Sequence, residues 1–123
     1  MRTLIISVIE GMKKSEQIKP LLTKHKLQLS IVSEDRTWHI LFDGSNPRFI
    51  SDVEDSSDVV IEGDNDALKE LFLGTDFLLA MNRREEIHCT GSLKYLLWLE
   101  SLFYLTDIKR NIAAIDFIDK HNS

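Results

Sequence analysis

The chain has 123 residues, of which 43% are hydrophobic and 28% charged, and its formal net charge is −5. That length is typical of one domain, and this hydrophobic content is sufficient for a core. The negative charge and the lack of a basic face argue against nucleic-acid binding. Cys89 is the only cysteine, which excludes an internal disulfide framework and favours a reducing compartment. We therefore expect a single cytoplasmic domain over residues 1–123.

Neither a secretion signal nor a membrane span is predicted from the sequence. The apolar run 4–9 is short, contains Ser7 and lacks a small-residue cleavage site. No apolar stretch approaches the roughly 18 residues that a transmembrane helix needs. The last four residues do not form a recognisable targeting signal.

Residues 1–24 show helical spacing of their apolar side chains, with Leu4 and Val8 on the same face. Gly11 and Pro20 weaken the middle and the end of this pattern. We predict one broken helix or two short helices that cover the rest of the domain with a single face.

The middle of the chain changes to the period of two that is typical of strands. Apolar and polar residues alternate in 27–33 and in 36–44, and residues 43–47 form a turn-prone cluster. Two further strands are predicted at 48–54 and 57–63, each after a short polar connection. The sequence therefore predicts four strands in an antiparallel meander.

The period becomes helical again after the fourth predicted strand. Asp64 can cap a helix at its N-terminus, and Gly74 can end it. Thr75 or Asp76 can then cap a second short helix at 76–83. These two helices add several large apolar side chains, among them Phe72, Phe77 and Met81.

The last third of the chain is predicted to hold one strand and two helices. The strand covers 85–91, Ser92 caps the helix 93–105, and a C-terminal helix covers 106–121. The whole order, α-β-β-β-β-α-α-β-α-α, predicts an α+β fold.

The C-terminal helix carries one apolar stripe, formed by Ile108, Ile112 and Ile115. A helix this short is marginal alone, so it must dock on another element. We predict that it packs as a lid on the helix that precedes it.

The helix 93–105 is apolar around nearly its whole circumference, whereas a helix that covers one side of a core needs a narrower apolar stripe. Its spare apolar surface can meet a tight core, a protein partner or an apolar ligand in a cavity. Composition and spacing leave these three alternatives open.

The sequence is poor in catalytic constellations. The four histidines lack metal-ligand spacing, and His39 and His88 are predicted to face solvent from the sheet. Cys89 follows His88, but neighbours along a strand point to opposite faces, so Cys89 is predicted to be a small buried apolar residue. The acidic stretch 52–58 lacks the spacing of a calcium loop. We predict no catalytic residues, no metal site, no cofactor and no enzymatic activity.

Three segments together carry a resemblance to a known family. They read TWHILFDG, SDVVIEGDNDALKELFLG and IHCTGSLKYLLWLESLF in chain order. Each resembles a segment of the sterol carrier protein 2 family, and residues 27–103 would align with most of its domain. The chain is thus interpreted as similar to a small, stand-alone, bacterial-type member of that family. It departs from the family in lacking the peroxisomal tail signal.

The resemblance implies a mainly antiparallel sheet of about five strands, with helices packed on one side around an apolar tunnel. The ligand implied is a fatty acid, an acyl-CoA or a sterol-like lipid, and transient membrane contact is compatible with that role. The candidate pocket residues are Phe72, Phe77, Leu78, Met81, Leu97, Leu102 and Phe103. The alternative function is a protein-interaction or dimerisation module that uses the spare apolar helical surface, so the protein is expected to be a monomer or a homodimer.

Overall fold

A computed structural model describes residues 1–34, 36–51 and 57–106. The helices and strands in these ranges are α1 (Arg2–Lys14), α2 (Lys19–Leu22), β1 (Lys26–Val32), β2 (Thr37–Asp43), β3 (Arg48–Ile50), β4 (Val59–Gly63), α3 (Asn65–Phe72), α4 (Leu78–Arg83), β5 (Ile87–Thr90) and α5 (Leu93–Leu105). The predicted C-terminal helix, with its isoleucine stripe, lies outside the described residues except for Thr106.

The five strands form one mixed sheet in the order β3-β2-β1-β4-β5. Three pairs of neighbours are antiparallel, and β1 and β4 are parallel. Helices pack on one side of the sheet, so the predicted α+β fold with about five mainly antiparallel strands is confirmed.

The predicted meander is wrong at its fourth strand, because β4 pairs with β1 and not with β3. Leu29 lies beside Val59 and Ile31 beside Ile61 in the parallel register. All four side chains are fully buried. Strands with fully buried side chains, such as β1 and β4, are typical of the centre of a sheet. The strand β3 has only three residues and lies at the edge. In the sheet, β2 and β1 therefore separate β3 from β4, and these two strands do not form a hairpin.

Alternation along the strands sets which side chains reach the core. Leu27, Leu29 and Ile31 of β1 lie opposite Phe42, Ile40 and Trp38 of β2, on the side that carries the helices. Gln28, Ser30 and Val32 point to the other side of the sheet. The predicted inward and outward faces of these two strands are therefore confirmed.

The N-terminal segment forms two helices, which is one of the two predicted alternatives. Gly11 does not interrupt α1, because it lies buried inside that helix. The interruption comes at Ser15, whose backbone is extended, and the fully buried Ile18 then precedes α2. Pro20 occupies the first turn of α2, where its missing N–H costs no hydrogen bond.

Three of the residues predicted to begin or end a helix are confirmed, two at N-termini and one at a C-terminus. The Asp64 carboxylate accepts a hydrogen bond from the Ala67 amide at 2.7 Å, which satisfies a free N–H group at the start of α3. Gly74 follows α3 with a φ of +74°, a conformation that glycine adopts without strain. Ser92 accepts a hydrogen bond from the Tyr95 amide at the start of α5.

The predicted cap of α4 is wrong. Phe77 occupies the N-cap position, and its own side chain makes no capping hydrogen bond. The Asp76 carboxylate instead accepts from the Phe77 amide, and the Thr75 hydroxyl donates to the Glu70 carbonyl at 3.0 Å. Both polar side chains are therefore used in the α3–α4 connection, and α4 begins two residues later than the sequence suggested.

Candidate ligand-binding site

The helix α5 buries one side and exposes the other. Its buried side chains are Leu96, Trp98, Leu99, Leu102 and Phe103. On the opposite side Leu93 is 62% exposed, Leu97 46% and Tyr104 57%. These three residues, which we call the α5 outer row, lie on one helical stripe because they are spaced by four and seven positions. The excess apolar character of the sequence thus corresponds to apolar surface outside the core.

Two aromatic pairs lead from the core to this surface. The rings of Phe72 and Phe103 meet edge to face inside the protein, with centroids 5.3 Å apart. The rings of Phe77 and Tyr104 lie at the same centroid distance but at the surface. Phe103 and Tyr104 are consecutive in α5, so this helix contributes one ring to a buried pair with α3 and the next ring to an exposed pair at the start of α4.

Polar contacts fix α4 between α5 and β5. The Glu100 carboxylate accepts a hydrogen bond from the Leu79 amide at 2.9 Å, at the uncapped start of α4. At the other end, the Asn82 side-chain oxygen accepts from the Cys89 amide of β5 at 2.9 Å. These two contacts hold α4 at both ends while it contributes buried side chains to the core.

The seven predicted pocket residues separate into two groups. Five are buried in the core, namely Phe72, Leu78, Met81, Leu102 and Phe103. The other two, Phe77 and Leu97, lie at the surface, and Phe77 is 45% exposed. The structure therefore brings together interior and surface side chains of α3, α4 and α5. Their role as a ligand pocket stays a prediction.

The two sheet histidines have different surroundings. His88 is exposed on the face away from the helices, as predicted. His39 lies on the same face but is half-buried, and its Nδ1 atom is 2.8 Å from the Ser30 hydroxyl. Ser30 is itself buried and also hydrogen-bonds to Ser57. The sequence predicted the face of His39 but missed this network, because the contact depends on the pairing of β1 with β2 and on the segment before β4.

Cys89 lies on the core side of β5, opposite Ile61, whereas His88 points away from the core. The two side chains therefore do not form a thiolate pair. Burial raises the pKa of the Cys89 thiol from its ordinary value of 9.0 to about 11. A thiol in this state is a poor nucleophile at neutral pH.

We expect the ultraviolet absorbance of the Cys89 thiolate to develop with a midpoint near pH 11 in the folded protein. The folded thiol keeps its proton at a higher pH than the unfolded thiol does. The contribution of the protonated Cys89 thiol to the free energy of unfolding is thus fully present below pH 9.0, and it is lost as the pH rises towards 11. The variant Cys89→Ser provides the blank for the titration. Alkylation of Cys89 at pH 7.5 as fast as that of glutathione would contradict this prediction.

Two kinds of site are not found in the part of the chain that the structure describes. No group of three or more His, Cys, Asp or Glu side chains there could hold a metal ion. Among residues 1–34, 36–51 and 57–106, no helix combines the length and the hydrophobicity that crossing a bilayer requires.

Solved structures with the same fold include sterol carrier proteins. The sterol carrier protein domain 2 of Helicoverpa armigera is 13% identical, and the match covers 86% of each chain with a TM-score of 0.69. A protein named UbiJ-SCP2 ubiquinone synthesis protein is 15% identical over 80% of this chain and 83% of that chain, with a TM-score of 0.64. Sterol carrier protein 2 from Yarrowia lipolytica, in its apo form, is 10% identical over 80% of this chain and 84% of that chain, with a TM-score of 0.59.

No protein-family model matches the chain, and no curated protein matches it. At identities of 10–15%, the structural likeness concerns the fold. The chain has the sterol carrier protein 2 fold, so the resemblance of its three sequence segments to that family is confirmed at the level of the fold.

Proposed function

We propose that the protein is a non-enzymatic cytoplasmic carrier that binds one hydrophobic small molecule, either a fatty acid, an acyl-CoA or a sterol-like lipid. The observation that carries the proposal is the exposed apolar side chains of Phe77, Leu97 and Tyr104, which lie beside the buried apolar side chains of α4 and α5. The names of the sterol carrier proteins that share the fold support the class of ligand.

In this proposal the ligand lies between α4 and α5. Its apolar part contacts Leu78, Met81 and Leu102, and it reaches this position past Phe77 and Leu97 at the surface. Each square ångström of apolar surface that leaves water on binding contributes about 25 cal/mol. An acyl chain therefore needs no ionic contact to bind in such a place, and aromatic and methionine side chains adapt well to its shape.

Native mass spectrometry of protein expressed in bacteria, followed by organic extraction, tests the proposal directly. We expect a bound species with the mass of a lipid, and micromolar binding of a fluorescent fatty acid to the delipidated protein. Phe77→Ala and Leu97→Ala should each weaken that binding by about threefold to thirtyfold, as expected for lost apolar contacts. Ile6→Ala, which removes an exposed apolar side chain of α1 instead, is the matched control. A protein that is purified empty and rejects both acyl chains and sterols at micromolar concentration would defeat the proposal.

The α5 outer row favours a second candidate function, a protein-interaction or dimerisation module. Leu93, Leu97 and Tyr104 expose apolar side chains along one side of α5, and exposed apolar surface of this kind often marks a contact surface. Sedimentation at several concentrations distinguishes the two functions. A strict monomer with bound lipid favours the carrier, whereas a tight lipid-free dimer that Leu97→Asp dissociates favours the module.

A further inference from the structure

A cleft that has no lining residue from α4 or α5 lies where the start of α1, the β1–β2 turn and the start of α3 meet. Its lining consists of Met1, Arg2, Ser33, Arg36, Trp38 and Asn65, and its volume is about 280 Å³. A neighbouring cleft of about 510 Å³ shares Arg2, Arg36 and Trp38 with it and extends to Phe49 of the edge strand β3. We call the two together the Trp38 cleft.

Two polar atoms of the Trp38 cleft are shielded from solvent and have no hydrogen-bond partner among the described residues. They are the Trp38 Nε1 atom, which can only donate, and the Asn65 Oδ1 atom, which can only accept. Buried polar groups are nearly always paired. The other tryptophan follows that rule, since Trp98 Nε1 donates to the Leu21 carbonyl at 2.9 Å. The residues that line the cleft therefore carry one unused donor and one unused acceptor.

The charge of the Trp38 cleft is opposite to that of the whole chain. Arg2 and Arg36 line it, and no carboxylate of the described residues does so. Within the described ranges, neither arginine takes part in a salt bridge. The Arg36 guanidinium lies 5.9 Å from the centroid of the Trp38 ring, so a positive charge is held against the same side chain that carries the unused donor.

We propose that the Trp38 cleft binds a phosphate group that retains an O–H, either inorganic phosphate or the singly protonated head of a phosphate monoester. Its oxygens accept hydrogen bonds from Trp38 Nε1 and from the two arginines, which suit the fork of phosphate oxygens. Its O–H donates to Asn65 Oδ1. At pH 6 a carboxylate or a sulfate would leave Asn65 Oδ1 without a partner, because neither carries a proton, whereas inorganic phosphate and about half of a phosphate monoester retain an O–H at that pH.

An organic remainder on the phosphate has a place in the same cleft. The rings of Trp38 and Phe49 have centroids 6.3 Å apart and line the wider part of the cleft. This aromatic wall can contact an alkyl or a planar group attached to the phosphate. The site stands independently of the lipid proposal, because it shares no residue with the α4–α5 region.

Nuclear magnetic resonance of the full ¹⁵N-labelled chain tests the proposal through the two tryptophan indole N–H signals, which Trp38→Phe assigns. Titration with inorganic phosphate at pH 6 in 0.15 M NaCl should shift the Trp38 signal saturably and leave the Trp98 signal in place. Arg2→Ala and Arg36→Ala should each weaken binding about tenfold, as expected for a lost charged hydrogen bond. Arg83→Ala, which removes an exposed arginine of α4, should leave the affinity unchanged. An unchanged Trp98 signal in each variant verifies that it is folded.

Sulfate and decyl phosphate complete the test. Sulfate should bind several times more weakly than phosphate, and Asn65→Ala should abolish that difference. If decyl phosphate binds more tightly than inorganic phosphate and Phe49→Ala removes this gain in affinity, the phosphate belongs to the head of a lipid. If the two bind equally, the ligand is a free phosphate compound. The proposal is overturned if the Trp38 signal does not shift, if both indole signals shift alike, if sulfate binds as tightly as phosphate, or if Arg36→Ala has no effect.

Discussion

Replacing Phe72 with alanine should lower the free energy of unfolding by about 3–5 kcal/mol, the usual cost of removing a buried aromatic ring. The Phe72 side chain is buried and meets the Phe103 ring edge to face at 5.3 Å. The variant therefore loses both the transfer free energy of the ring and its aromatic contact, and it leaves a void between α3 and α5. Chemical denaturation followed by circular dichroism measures the change.

Phe77→Ala is the matched control, because it removes the same ring from a position that is 45% exposed. We expect it to cost less than about 1 kcal/mol, as most surface substitutions do. A comparable loss of stability in both variants, or a cost below about 1 kcal/mol for Phe72→Ala, would contradict the assignment of Phe72 to the packed core. A small cost for Phe72→Ala would mean that the Phe72 ring makes few packing contacts, as expected for a side chain that faces an open cavity.

Most helices and strands could be predicted from the pattern of apolar and capping residues within a short segment of sequence. The alternation of Leu27, Leu29 and Ile31 predicted both the strand and its inward face, because successive side chains of a strand point to opposite sides. Asp64 and Gly74 predicted the two ends of α3, because capping depends on hydrogen bonds within a few residues. Information of this kind is contained in a short window of sequence.

Strand order was not available from such a window. The alternation of Val59 and Ile61 tells which side chains are buried, but it does not tell which strand lies beside β4. The parallel pairing with β1 joins residues about thirty positions apart, as in Leu29 with Val59. Bringing β4 beside β1 costs chain entropy, because the residues between them must form a closed loop. Burial of the apolar side chains of the two central strands offsets that cost. The strand order therefore depends on the whole core and not on a short segment.

The candidate sites show the same division between local and distant information. The composition of α5 predicted spare apolar surface, but only the packed structure shows that Leu97 is at the surface and Leu102 in the core. The Trp38 cleft had no signal in the sequence. Its unused donor and acceptor, on Trp38 and Asn65, come from β2 and α3 and share a cleft only in the folded chain.

Removing residues 107–123 should lower the melting temperature by on the order of 5 °C or more and increase the binding of a hydrophobic dye. We propose that Ile108, Ile112 and Ile115 cover the α5 outer row, which otherwise exposes Leu97 and Tyr104 to water. Burying three isoleucines contributes about 4–9 kcal/mol before the entropy of ordering is subtracted. Since ordering a segment of this length cancels much of that contribution, the net loss on truncation is a small part of it.

Two triple substitutions in the full-length chain separate the role of the stripe from that of chain length. Replacing Ile108, Ile112 and Ile115 with serine should reproduce both effects of the truncation, because it removes the apolar contact alone. Replacing Lys109, Arg110 and Asp116, three charged side chains outside the isoleucine stripe, with serine should change neither the melting temperature nor the dye fluorescence. If the truncated protein keeps its melting temperature and binds no additional dye, the C-terminal segment does not cover α5. The α5 outer row would then remain available to a lipid or to a protein partner, which the lipid titration and the sedimentation experiment tell apart.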